Sequence, residues 1–206
     1  MNTKPPTPAH YIPVMGTWDL DNEFGWWRKN SPFAQFAFKH NIVLYPRQPF
    51  IWSSDIDGTF SLFREDRQSD WRAAGASLAY YLEGIQASHR NIIAHSHGLQ
   101  AVACAMFYFN VEIRTLTTVG SPVRKDLYPH YSAIQNKCDR WQHIYDTDFD
   151  LFGQLGLLFD GELSFRRFCP FATRNEALSD IGHTEVLMNP TKFNHWVDRG
   201  WFDFIR

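Results

Sequence analysis

The segment RNIIAHSHGLQAVACAMFYFN, residues 90–110, decides the fold class. It opens with an apolar run, Ile92-Ile93-Ala94, which is typical of a buried strand. Residues 97–109 continue as an apolar, helix-compatible run. Ser96 stands between the two runs and is flanked by His95 and His97. The segment therefore predicts a strand that turns directly into a helix at a serine.

Strands and helices alternate along the rest of the chain. Strands are also predicted at 11–16, 41–46, 113–123 and 140–146, with one more candidate at 162–168. Helices are predicted at 23–40 with a break near Ser31-Pro32, 69–85, 97–109, 128–137 and 189–205. This alternation predicts an α/β fold with a mainly parallel central sheet and helices on both faces. Residues 1–10 are expected to form a flexible arm and 11–206 a single domain.

Composition excludes several classes of function. The net charge is −2 and 20% of the residues are charged, which argues against an electrostatic nucleic-acid binder. No apolar run reaches the roughly 18 to 20 residues that span a bilayer, and no secretory signal is visible, so we expect a cytoplasmic protein without stable membrane insertion. The three cysteines are odd in number and form no CxxC pair, which indicates reduced, buried thiols.

A serine at such a turn has the surroundings that a nucleophile needs. Its hydroxyl reacts at neutral pH only when a base takes the proton and a carboxylate orients that base. A sharp strand-to-helix turn exposes the serine and directs free N–H groups of the helix toward the same point. The turn also requires small residues two before and two after the serine, here Ala94 and Gly98. The pattern A-H-S-H-G is a variant of the G-x-S-x-G nucleophile elbow.

Residues 11–200 resemble the α/β-hydrolase superfamily, and among its members the small lipases and esterases with little or no lid. The segments that carry the resemblance come in the order of that family: PVMGTW, AHSHG, TVGSPV, HIYDTDFD and GHTEVL. Met15 stands where the family usually has histidine, and Ala94 replaces the first glycine of the elbow. The resemblance implies a serine hydrolase that cleaves a carboxylic ester through a Ser-His-Asp triad.

The resemblance also implies a role for individual residues. Ser96 is the expected nucleophile and His183 the base, and the backbone N–H groups of His97 and Thr17 are the expected oxyanion hole. No metal or cofactor is implied, and the expected partner is a small-molecule or lipid-like ester. The sequence leaves the oligomeric state open.

Three aspartates are candidates for the acid of the triad: Asp146, Asp148 and Asp150. Asp148 is preferred, because the family commonly has a short polar step after the tyrosine and then Asp before an apolar residue. Asp150 also precedes an apolar residue and stays the alternative.

Other features of the sequence admit more than one interpretation. Trp18, Phe50 and Trp52 are candidates for an acyl pocket, although core packing is the commoner fate of such residues. His95 and His97 suggest a metal site only weakly, since an elbow would interrupt the strand between them. Alternative functions are a catalytically inactive hydrolase-like binding domain, a thioesterase or amidase with the same triad, and a lipase acting at membrane surfaces.

Overall fold

The computed structural model describes residues 8–16, 25–44, 67–147, 168–179 and 181–205. Six strands lie in this part of the chain: β1 Ala9–Val14, β2 Ile42–Leu44, β3 Asn91–His95, β4 Ile113–Val119, β5 Cys138–Asp146 and β6 Arg174–Leu178. They form one parallel sheet in the order β2-β1-β3-β4-β5-β6. The predicted α/β fold with a parallel sheet is therefore confirmed.

The helices cover the sheet on two sides. They are α1 Pro32–Lys39, α2 Arg67–Glu83, α3 Gly98–Tyr108, α4 Tyr128–Lys137, α5 Glu185–Met188, α6 His195–Asp198 and α7 Trp201–Ile205, with 3₁₀ turns at Ala87–His89, Lys125–Leu127 and Pro190–Lys192. Helix α1 begins where the sequence predicts a break, because Ser31 accepts a hydrogen bond from the Ala34 N–H at 3.0 Å and Pro32 fits the first turn. Residues 25–31 form turns in place of the helix expected from residue 23.

Two apolar clusters hold these layers together, one on each face of the sheet. On one face, residues of α2, α3 and α4 such as Leu78, Val102 and Ile134 pack on alternate strand residues that include Ile92. On the other face, residues of α1 and the C-terminal helices pack on the intervening strand positions, which include Ile93. Since neighbouring residues of a strand point to opposite faces, both faces of β3 are covered and all five of its residues are buried.

Two expectations about the ends of the chain need correction. Strand β1 begins at Ala9, so Ala9 and His10 belong to the sheet and not to the N-terminal arm. The helix expected at 189–205 is instead a 3₁₀ turn followed by the short helices α6 and α7. Gly200 lies between α6 and α7 with a φ of +63°, a backbone angle that ends a helix.

The candidate strand at 162–168 falls almost wholly outside the described residues, and Phe168 forms a bend. The strand that completes the sheet is β6, further along the chain. No helix among the described residues has the length and apolar character required to cross a membrane.

Candidate functional site

Ser96 occupies a strained backbone position between β3 and α3. Its φ is +50°, in the left-handed region that a residue other than glycine, asparagine or aspartate seldom adopts. The Ser96 N–H donates to the Val119 carbonyl oxygen at 3.0 Å, so the end of β4 holds the turn in place. Such strain persists only where the surroundings impose it, and it occurs often at functional sites.

The end of β1 lies against this turn so closely that two glycines are required. A Cβ on Gly16 would lie 2.7 Å from the Ser96 Cβ and 3.3 Å from its Oγ. A Cβ on Gly98 would lie 2.8 Å from the Val14 carbonyl oxygen. The small residue at position 98, which the elbow pattern requires, is thus explained by contact with β1. Both ends of the turn are packed against one neighbouring strand.

His183 lies over the end of β4, the strand next to that of Ser96. A Cβ on Gly120 would lie 2.7 Å from the His183 carbonyl oxygen and 3.2 Å from its Nδ1. Gly120 has a φ of +57°, and Gly182, just before the histidine, has a φ of +46°. Glycines with left-handed backbone angles therefore form both the turn after β4 and the loop that positions His183 over it.

His95, the last residue of β3, contacts the same loop. Its side chain is buried, with 2% of its surface exposed. Its ring centroid lies 4.9 Å from that of His183, and its Nε2 lies 3.3 Å from the His183 carbonyl oxygen. His95 thus packs against the loop that carries His183.

His97 points away from His95. Its ring stacks on Trp71, with centroids 6.4 Å apart, and the guanidinium of Arg124 lies 4.9 Å from the centre of the Trp71 ring. Arg124 is held in turn by Asp126, whose carboxylate accepts from it at 3.0 and 2.8 Å. Trp71 belongs to the apolar cluster opposite the one that contains Ile93, and His95 shares the face of Ile93.

Neither Trp71 nor Arg124 lies in a segment that the sequence marks as part of the site. A stacked wall built from residues 71, 97 and 124 has no local motif, because it joins three distant parts of the chain. The two histidines beside Ser96 lie on opposite faces of the sheet, so they do not converge on one metal ion. Within the described ranges, no group of three His, Cys, Asp or Glu residues is arranged to hold a metal.

Among the aspartates considered for the acid, the structure describes Asp146. It is the last residue of β5 and is buried, with 7% of its surface exposed. Asp148 and Asp150 lie outside the described residues, as do Thr17 of the expected oxyanion hole and the pocket candidates Trp18, Phe50 and Trp52.

No protein-family model matches this sequence, and no curated protein matches it either. Among solved structures, the chain is similar to a predicted CIB-like hydrolase from Thermoplasma acidophilum, at 13% sequence identity and a TM-score of 0.56. The match covers 98% of this chain and 89% of the other. At this level of identity the similarity shows the fold. The chain has the α/β-hydrolase fold, as the resemblance in its sequence implies.

Proposed function

We propose that this protein is a serine hydrolase that cleaves carboxylic esters with Ser96 as nucleophile and His183 as base. The observation that carries the proposal is the turn at Ser96. A serine with a φ of +50° stands between a parallel strand and a helix, packed against Gly16 and bonded to the end of β4. A fold without use for this serine would gain stability by replacing it with glycine.

The sheet order supports the assignment of His183. Strand β4 lies between β3, which ends beside Ser96, and β5, which ends at Asp146. Since neighbouring strands are about 4.8 Å apart, the ends of β3 and β5 are separated by roughly 10 Å. An imidazole can bridge that gap, and His183 lies over Gly120 at the end of the middle strand. Gly120 leaves the space that any larger residue would fill.

The acid is expected just after β5, and we retain Asp148, with Asp150 and Asp146 as alternatives. The position of Asp146 supports this location. Asp146 ends β5 at the carboxyl end of the sheet, and β5 is the strand next to β4, over whose end His183 lies. In parallel α/β sheets that edge is where catalytic residues gather. An aspartate there would orient the imidazole and stabilise it once it is protonated.

The proposed reaction is acyl transfer in two halves. Neutral His183 takes the proton of Ser96 as Oγ attacks the ester carbonyl, and the N–H groups of His97 and Thr17 stabilise the oxyanion. Protonated His183 then donates to the departing alcohol and leaves an acyl group on Ser96. A water molecule, activated by His183, attacks that acyl-enzyme, and the acid product leaves as Ser96 regains its proton.

The test is a fluorophosphonate probe, followed by intact-mass measurement. We expect one adduct on the wild type, one on Ser121→Ala and none on Ser96→Ala. Ser121 is a suitable control because it is a buried serine at the end of β4 and its Oγ bonds the Val119 carbonyl oxygen. Turnover of acyl esters should fall by about 10⁴-fold or more in Ser96→Ala.

Other results would redirect the proposal. An adduct that survives Ser96→Ala contradicts it. A folded wild type without an adduct favours a hydrolase-like binding domain. Parallel assays with matched esters, thioesters and amides then separate the three reaction classes that the same triad serves.

A further inference from the structure

The carbonyl of His183 is held from two sides. Gly120 approaches it so closely that a Cβ would lie 2.7 Å from its oxygen. The Nε2 of His95 lies 3.3 Å from the same oxygen, slightly beyond the usual range for an N–H···O hydrogen bond. The carbonyl is thus fixed between the ends of β4 and β3, and Ser96 directly follows β3.

The contact with the His183 carbonyl determines which ring nitrogen of His95 donates a hydrogen bond. A carbonyl oxygen only accepts hydrogen bonds, so the Nε2 of His95 must carry a hydrogen for the pair to be favourable. The arrangement therefore places a hydrogen on Nε2 of His95.

The loop around His183 needs such an anchor. Gly182 has a φ of +46°, and glycine loses more conformational freedom on folding than any other residue. An imidazole that removes the proton from a serine must be held within a fraction of an ångström of its productive position. A hydrogen bond to the main chain of His183 itself restrains the point from which that side chain extends.

We propose that His95 is a positioning residue for the base. Its Nε2–H fixes the main chain of His183 and, through the contact of the two rings, the orientation of the His183 imidazole over the end of β4. This inference rests on the proposed function, because it takes His183 to be the base. In the A-H-S-H-G motif, the histidine before Ser96 then positions the His183 imidazole that activates Ser96.

Three substitutions test the proposal. Gln places an amide N–H near the position of the histidine Nε2, Asn is too short to reach the carbonyl, and Leu offers no donor. We expect kcat per active site, titrated with the fluorophosphonate, to fall about 10- to 100-fold in His95→Leu and His95→Asn, with KM changed less than about twofold. His95→Gln should recover most of the loss.

This pattern separates positioning from mere support of the fold. A purely structural role would lower the melting temperature and the fraction of titratable enzyme, and would leave kcat per titrated site unchanged. Such a result in His95→Leu, or equal kcat in the Gln and Asn variants, overturns the proposal.

A second measurement does not depend on activity. Nitrogen-15 NMR of the wild type should show the His95 Nε2 protonated, with the resonances of the His183 ring displaced in His95→Leu. A hydrogen on Nδ1 alone overturns the proposal. A wild type without an adduct on Ser96 overturns the proposed function as well, whereas an active, labelled wild type beside an unaffected His95→Leu overturns only the role of His95.

Discussion

Gly16 stands where any side chain would meet the serine that we propose as nucleophile. Its φ is not in the left-handed region, so alanine meets no backbone penalty there. The new Cβ would meet the Ser96 side chain first and, at 3.2 Å, the His95 carbonyl oxygen. Gly16→Ala should lower kcat about 10- to 100-fold by displacing the Ser96 Oγ. Steady-state assays of ester turnover, with circular dichroism to verify folding, measure this effect.

Gly84→Ala is the matched control for Gly16→Ala. A Cβ on Gly84 would meet nothing within 4 Å among the described residues, so the kcat of this variant should equal that of the wild type. Equal kcat in both variants would show that the serine tolerates displacement and would argue against its role as nucleophile.

The thiols are protected from reaction by their surroundings. Burial raises the pKa of Cys104 and Cys138 to about 12 and that of Cys169 to about 11, from an ordinary value of 9.0. The composition of the sequence predicts buried thiols, and this is confirmed for Cys104 and Cys169, whereas Cys138 is partly exposed. The reactive thiolate of each is therefore scarce at neutral pH.

We expect none of the three thiols to react quickly with a disulfide reagent at pH 8 in the folded protein. Three equivalents should react at once in denaturant at the same pH. Because the pKa of each thiol is higher in the folded state, folding favours the protonated thiol. The resulting contribution to the free energy of unfolding is present below pH 9 and is lost as the pH rises through 11 to 12. A fast equivalent in the folded protein would contradict the burial of these groups.

At the scale of whole elements, helices α2 and α3 pack closely together at a glycine of α2. A Cβ on Gly75 would lie 2.7 Å from the Cys104 Cβ and 2.8 Å from the Ala105 nitrogen. Alanine normally stabilises a helix interior by about 0.5 to 1 kcal/mol relative to glycine. Gly75→Ala should instead lower the free energy of unfolding by about 1 to 3 kcal/mol, because the two helices must move apart.

Urea denaturation checks this prediction. Gly84→Ala follows the last turn of the same helix and fills open space, so it should leave the midpoint nearly unchanged. A midpoint for Gly75→Ala at or above that of the wild type would mean that the helices adjust without loss.

Elements with an apolar face were predictable from the sequence, and β6 was not. The first five strands carry buried residues on one or both faces, which is the pattern that the sequence displays. Strand β6 is an edge strand whose Arg174 pairs with Glu176, and its only buried residue is Leu178. An edge strand held by charged pairs and backbone bonds has no apolar alternation to predict it.

At the scale of the molecule, the first strand and the last helix are tied together. The Tyr11 hydroxyl donates to the Ile205 carbonyl oxygen at 2.5 Å, and both residues are buried. Tyr11→Phe removes the donor and leaves that oxygen without it, so the free energy of unfolding should fall by about 1 to 3 kcal/mol.

Tyr80→Phe is the control for this prediction, because 79% of the Tyr80 side chain is exposed and its hydroxyl is free to bond water. It should change the free energy of unfolding by less than about 0.5 kcal/mol. Equal urea midpoints for the two variants would show that the bond between β1 and α7 contributes nothing.

In the candidate site, residues that lie in short sequence motifs could be predicted, whereas contacts between distant segments could not. Ser96 and His183 could be predicted as site residues because each lies in a short segment with its own pattern and the segments come in the order of the resembled family. The contact of His95 with His183 joins residues 88 positions apart, and the stack of Trp71, His97 and Arg124 joins three separate segments. Such contacts arise only when the sheet brings the strand ends together, so no window of sequence contains them.

The strand order also governs how this chain folds during synthesis. Strand β1 lies between β2 and β3, and Asn91 in β3 bonds the carbonyl of His10 across 81 positions of the sequence. At about 5 to 20 residues per second, the ribosome delivers β3 roughly 4 to 16 s after β1. One edge of β1 therefore emerges long before its partner, and in that interval its backbone groups can pair with any other extended chain. The nascent chain has a period of exposure to aggregation, and to chaperones, that ends only when the strand before Ser96 has left the ribosome.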